Sequence, residues 1–268
     1  MVPEGPEVKR ISESLAERLS GRTLTNIVVL SGRYLKNNLE NLSIVKDELP
    51  IEIVGAGCKG KFIFVILRDE WSIWCSLGMS GKWSEERTKH SRVKFSLNDG
   101  DVYFNDTRNF GTLKFQKNAK NLKNKLLSLG PDMLSEDISD DEFIKRIRKC
   151  KNKTICQAVM DQKVISGIGN YLKAECLYQA RVSPYAKCSE ISDERLSNLN
   201  SVIKSIIRLS YETGGATIKN YTSFDNKIGK YSQRFAVYNQ KYDPEGKKVL
   251  KEKTPDGRTT HWVPEIQE

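Results

Sequence analysis

Apolar residues change their spacing three times along this chain. Val8, Ile11, Leu15 and Leu19 recur every three or four positions, which lines one face of a helix. Pro6 suits the first turn of that helix, and Gly21 ends it. From residue 24 to about residue 115 the apolar runs become short, β-branched and aromatic. Segments 25–30, 51–54, 61–67 and 71–77 are predicted strands. Segments 92–97 and 102–105 alternate with period two around Asn98-Asp99-Gly100, which predicts a tight-turned hairpin. At Leu129-Gly130-Pro131-Asp132 the period turns helical again. Helices are predicted over 141–150, 154–162, 170–180 and 193–213, with Ser166-Gly167-Ile168-Gly169-Asn170 as the corner between the second and third. Strand signals return at the C-terminus, punctuated by Pro244-Glu245-Gly246 and Thr254-Pro255-Asp256-Gly257. The Asn/Lys-rich stretch 117–125 reads as a solvated connection. The pattern therefore predicts an all-β first half, an α-helical second half and a β-hairpin appendage.

Charge adds a partner class. Lys and Arg number 44 against 34 Asp and Glu, a net charge of +10. The longest apolar run, 62–67, is far short of the roughly 20 residues of a membrane span. A basic excess without a membrane signal points to a polyanion, most often nucleic acid. Six scattered Cys, none in C-x-x-C spacing, and two His offer little ligand supply for zinc. They fit reduced thiols in an intracellular protein, and the N-terminus lacks the basic-then-apolar pattern of a secretion signal. No cofactor is expected.

The sharpest chemical feature is the start, Met1-Val2-Pro3-Glu4-Gly5-Pro6-Glu7. A chain-terminal amine has a pKa near 8, so far more of it is unprotonated at neutral pH than of a lysine amine. Such an amine can attack C1′ of a nucleotide sugar, displace the base and leave a Schiff base that permits β-elimination. A neighbouring carboxylic acid, here Glu4, would protonate the ring oxygen or the leaving group. The same residues could instead shape a helix start, with Glu4 complementing its dipole.

Six segments in order decide between these. Pro3-Glu4-Gly5-Pro6-Glu7, Lys59-Gly60-Lys61, Leu77-Gly78-Met79-Ser80-Gly81 and Asp106-Thr107-Arg108-Asn109-Phe110-Gly111 are followed by two more. These are Leu129-Gly130-Pro131-Asp132 and the run from Met160 through Gly167-Ile168-Gly169-Asn170-Tyr171 to Glu175. Together they resemble, nearly end to end, the formamidopyrimidine-DNA glycosylase and endonuclease VIII family. The resemblance implies an α+β fold. A helix and two-layer β-sandwich would form a catalytic domain (1–130), followed by a helix–two-turns–helix DNA-binding domain (131–230) and a finger hairpin (231–268). It implies a bifunctional DNA glycosylase and AP lyase of base-excision repair. Pro3 would be the nucleophile, Glu4 the general acid, and Lys61 a cation that binds phosphate or assists the sugar chemistry. Met79, Arg108 and Phe110 would fill the gap left by a flipped base and hold its orphaned partner. Asn170, capping the helix after a glycine-rich anion turn, would grip phosphate, with Gln162 and Lys163 adding polar contacts. The partner implied is damaged DNA, duplex favoured, for a monomeric intracellular enzyme. The segment 220–231 would cover the flipped base.

Two departures from the family pattern matter. Aligned on Val237-Tyr238 and the C-terminal Gln267, the four zinc-ligand positions of the family fall near Glu245, Lys248, Val263 and Ile266, and valine and isoleucine cannot bind zinc. This resembles the zincless-finger branch of Nei-like glycosylases. Strand pairing and packing of Phe235, Tyr238, Trp262 and Val263 would hold the hairpin, and Arg258 would match the finger arginine that grips phosphate. Secondly, Val2 precedes Pro3. If only Met1 is removed, the free amine belongs to Val2 and Pro3 is an internal amide without a usable lone pair. The nucleophile is then Val2, or Val2 too is trimmed, or Val2 is not part of the natural start; Pro3 is favoured as the motif position, with Val2 as the chemical alternative. A non-catalytic damaged-DNA-binding module on the same scaffold is the alternative reading. A helix–turn–helix transcription factor would leave the β half unexplained.

Overall fold

The computed structural model describes residues 2–216 and 229–268. These divide into two compact units, one built from residues 2–3 and 7–128, the other from residues 4–6, 129–216 and 229–268.

The first unit is an eight-stranded antiparallel sheet backed by helix α1 (Gly5–Leu19). Its strands are β1 (Thr23–Val29), β2 (Ile51–Lys59), β3 (Phe62–Leu67), β4 (Ser72–Ser76), β5 (Gly81–Ser84), β6 (Ser91–Leu97), β7 (Gly100–Asp106) and β8 (Thr112–Gln116), in the order β5-β7-β6-β1-β2-β3-β4-β8. A short helix, α2 (Leu42–Asp47), lies between β1 and β2. β2 is long enough to pair with β1 at its start and β3 along the rest, and the register shifts between Ile53 and Gly55. A second irregularity sits between Leu24 and Asn26 on β1. Such bulges bend and twist strands. The ring of Phe95 on β6 meets that of Phe115 on β8, 6.5 Å between centroids, although four strands separate them in the sheet. The sheet thus folds over into the two layers expected. Val8, Ile11, Leu15 and Leu19 of α1 join Ile27, Ile63, Phe104 and Phe115 in its core.

In the second unit, α4 (Asp140–Arg148) starts at Ser139, whose hydroxyl accepts the Glu142 N–H. α5 (Ile155–Met160) opens with a Thr154/Gln157 capping box. α6 (Asn170–Gln179) is buried on nearly all sides, and α7 (Asp193–Glu212) packs against it. β9 (Leu250–Lys253) and β10 (Thr259–Trp262) form the hairpin.

One stretch departs from expectation. Within the supposed solvated connection the chain forms α3 (Ala119–Leu127), capped by Asn118, whose side chain accepts the Lys120 N–H. None of its residues is fully buried, and its apolar stripe, Ala119, Leu122 and Leu126, is short and set among Asn and Lys.

Candidate active site

Glu4 has its side chain buried at the start of α6. The N–H groups of Gly169 and Leu172 donate to Oε2 at 2.8 and 3.1 Å, and that of Tyr171 to Oε1 at 2.9 Å. The free N–H groups and positive end of a helix dipole make such a terminus an anion site. The approach is so close that a Cβ on Gly169 would lie 2.2 Å from the Glu4 carboxyl carbon, which leaves room for glycine alone. The Gly5 N–H donates to Gly167 O at 2.8 Å and fixes the chain on the far side of Glu4.

This corrects the reading of the glycine turn. The Gly169 N–H goes to Glu4 and the Gly167 N–H to Gln162, so neither glycine presents its donor to phosphate. Gly169, not Asn170, is the N-cap, and Asn170 is the first residue of the helix. Asn170 instead donates through Nδ2 to Thr259 O at 2.8 Å, which joins α6 to the hairpin. Gln162 braces the turn from within: its Oε1 accepts the Gly167 N–H at 3.0 Å and its Nε2 donates to Ile168 O at 3.0 Å. Lys163 is exposed.

Arg258 stands exposed in the 254–258 turn of the hairpin. Its carbonyl accepts the Thr254 N–H at 2.9 Å. Behind the turn, Phe235 packs on Tyr238 (5.2 Å between centroids) and Tyr238 on His261 (4.9 Å), while Trp262 meets Tyr185 (5.5 Å) and Val263 is wholly buried. The expected packing is therefore present, with His261 as an addition. Burial lowers the pKa of His261, and the charges of Lys251 and Lys173 push the same way. The unfolded chain then binds the proton more readily than the folded one. Stability is full above the unfolded value of about 6.5 and falls as pH drops below it. Thermal melts should show a lower Tm at pH 5.5 than at pH 7.5, with the difference reduced in H261F, which keeps a ring against Tyr238.

Met79, Arg108 and Phe110 belong to the first unit, on two loops tied together. Asp106, fully buried at the end of β7, accepts the Ser80 hydroxyl at 2.5 Å through Oδ1 and the Gly111 N–H at 2.7 Å through Oδ2. Ser80 Oγ in turn accepts the Arg108 N–H at 2.8 Å. Gly78, at φ +57°, lies against the Phe110 backbone, where a Cβ would sit 2.6 Å from its carbonyl carbon. The Tyr34 hydroxyl donates to Gly111 O at 2.8 Å, and Arg92 Nε to Asp106 O at 2.7 Å. On this frame Phe110 is 52% exposed, with the Arg108 guanidinium 5.0 Å from its ring centroid; Met79 is half-buried. An exposed aromatic under a stacked arginine is not a core residue.

Pro3 is buried at the head of the first unit. Lys61 is half-buried in the two-residue turn Gly60-Lys61 between the paired Lys59 and Phe62, so it precedes β3 rather than heading it. The structure thus gathers Glu4, Asn170 and the Arg258 turn in one unit and Met79, Arg108 and Phe110 in the other. Segment 220–228 lies outside the described residues.

Zinc does not fit the hairpin's donors. Val263 fills a dry apolar position, and among the described residues no three His, Cys, Asp or Glu side chains are grouped as a metal ion needs. Sequence reasoning missed a contact at the other end of the hairpin, a buried ion pair between Lys173 of α6 and Asp256 of the turn. The available signal was a lysine inside the otherwise apolar run Tyr171-Leu172-Lys173-Ala174.

Three domain families of formamidopyrimidine-DNA glycosylase match the chain in order: the N-terminal domain at residues 2–113, the H2TH domain at 129–222 and the C-terminal domain at 227–268. A formamidopyrimidine-DNA glycosylase of Shouchella clausii is 30% identical over 277 residues, covering 99% of both chains. The chain belongs to the formamidopyrimidine-DNA glycosylase family. The Oceanobacillus iheyensis member is also 30% identical, over 99% of this chain and 98% of its own. Among solved structures of the family, the MutM (Fpg) protein of Thermus thermophilus superposes with a TM-score of 0.88 at 26% identity, over 99% of this chain and 98% of the other. A Lactococcus lactis FPG variant in complex with a Fapy-dG containing DNA does so equally, over 99% and 100%. No helix among the described residues is long and apolar enough to cross a membrane.

Proposed function

We propose that this family member is an intracellular base-excision enzyme that removes oxidised bases from duplex DNA and cuts the resulting abasic site. The observation that carries the reading is the placement of Glu4. Its carboxylate is next in the chain to Pro3 and is held by three N–H donors at a helix N-terminus. Three such donors favour the ionised form. In the chain trimmed of Met1 and Val2, Glu4 therefore begins as the base that takes a proton from the Pro3 ammonium. The freed amine attacks C1′ as the bond to the damaged base breaks, and the base leaves with the bonding pair and takes up the proton that the attached nitrogen gives up. Glu4, now a carboxylic acid, gives the proton to the ring oxygen as the sugar opens to the iminium. Loss of a C2′ proton then expels the 3′ phosphate, and a further elimination expels the 5′ phosphate. Lys61 supplies a cation for the phosphate near the lesion. Phe110 and Met79 fill the vacated stack, Arg108 holds the orphaned base, and Asn170 and Arg258 grip the backbone. A hairpin with this donor set belongs with the zincless, Nei-like side of the family.

One observation favours the second reading, a non-catalytic damage-binding module: Val2 stands before Pro3 and turns its nitrogen into an amide unless it is removed. Borohydride reduction during incubation with abasic duplex separates the two. The enzyme leaves a covalent protein–DNA adduct, and the binding module leaves none.

A further inference from the structure

The hairpin that carries Arg258 pairs over only four residues in each strand. So short a ribbon does not by itself hold a turn in place. The turn is instead held from outside. Lys173 of α6 donates through Nζ to Asp256 Oδ2 at 2.5 Å, with the two side chains 0% and 4% exposed. The other carboxylate oxygen accepts the Thr254 hydroxyl at 2.6 Å and the Arg258 N–H at 3.3 Å. One turn earlier on α6, Asn170 donates to Thr259 O, and from α5 Gln157 Nε2 donates to Pro255 O at 3.2 Å. A continuous line of contacts thus runs from the interior of α6 through Asp256 to the backbone of Arg258.

A buried ion pair is a poor source of net stability, because desolvating two charges offsets most of their attraction, and apolar side chains often replace it at little cost. Burial indeed lowers the pKa of Lys173, and Asp256 opposes that shift. What such a pair supplies is geometry, through a short charge-assisted hydrogen bond with few alternative partners.

We propose that Lys173 and Asp256 are positioning residues that anchor the 254–258 turn to α6, as a metal would anchor a zinc-bound finger, and so fix the direction in which Arg258 meets the DNA backbone. This rests on the reading of Arg258 as a phosphate-gripping residue, and the test separates the two claims. Affinity for duplex carrying a tetrahydrofuran abasic analogue is measured at fixed salt for the full chain, R258A, K173M/D256L and the triple variant. Removing both charges avoids stranding one of them in the interior. R258A should bind about tenfold more weakly, as expected for a charge-assisted phosphate contact. K173M/D256L should lose a similar factor with its Tm within a few degrees of the parent. The triple variant should be no more than about twofold weaker than R258A, because the pair acts through the arginine. Losses that multiply in the triple variant overturn the proposal, as does K173M/D256L binding like the parent while R258A is impaired. An unchanged R258A overturns the assignment of Arg258 itself, and the positioning role with it. K173M/D256N, which strands no charge and keeps an acceptor at residue 256 for Thr254 and the Arg258 N–H, is read in the same cycle with the same outcomes should K173M/D256L not fold.

Discussion

E4Q should lose base excision by about 1000-fold in single-turnover rate, the middle of the range for a general acid–base group. The loss should be specific to duplex that still carries an oxidised base. At a preformed abasic site the sugar is already available as the open aldehyde, so no ring or base has to be protonated, and nicking there should fall much less. The geometry also predicts a structural cost. Oε2 accepts two N–H groups and Oε1 one. A Gln amide can keep its oxygen at the first position but must set its NH2 against the Tyr171 N–H. One buried donor is left without an acceptor, at about 1–3 kcal/mol, readable as a lower Tm. An E4Q protein with lowered Tm but undiminished excision would make Glu4 a helix cap and nothing more.

D106A should be the most damaging change outside the catalytic pair. Asp106 is 0% exposed and holds Ser80 and Gly111 at once, so alanine leaves a buried hydroxyl and a buried N–H unsatisfied. The expected cost is about 3 kcal/mol, which for a chain of this size is a fall of roughly 6–12 °C in Tm. The two loops it ties carry Met79, Arg108 and Phe110. Affinity for duplex with an abasic analogue should therefore fall about tenfold even where the protein remains folded, since a wedge held in place binds without a further ordering cost. S80A removes one of the two ties and should lie between the parent and D106A on both scales. D106A with parental Tm and affinity would mean that the loops keep their places without it.

Much of this architecture is visible in the order of residues because its causes are local. The helical spacing from Val8 to Leu19 and the two-residue turn after Leu97 each declare themselves within a few positions. The candidate site is legible as a set of motifs, but not as a set of contacts. Glu4 reaches partners 165 residues away, and Lys173 meets Asp256 across 83 residues. No periodicity carries such pairings. This explains the error at the glycine turn. A helix N-terminus open to anions was read correctly as chemistry, while the anion that occupies it lies at the other end of the sequence. In α3 the apolar stripe Ala119, Leu122 and Leu126 is present but short, and the Asn and Lys around it mask the helix. The zinc-ligand positions were readable because loss of donors is a property of single residues. The buried ion pair at the hairpin's turn was not, because that is a property of two elements brought together.

The central claim is that the amine at the Pro3 position is the nucleophile, with Glu4 beside it. Borohydride trapping on abasic duplex, followed by proteolysis and mass spectrometry of the adduct, tests it directly. A reduced sugar adduct is expected on the nitrogen of Pro3 as the first residue of the trapped chain. An adduct on the ε-amine of Lys61 or another lysine, or none from protein verified to begin at Pro3, would contradict it.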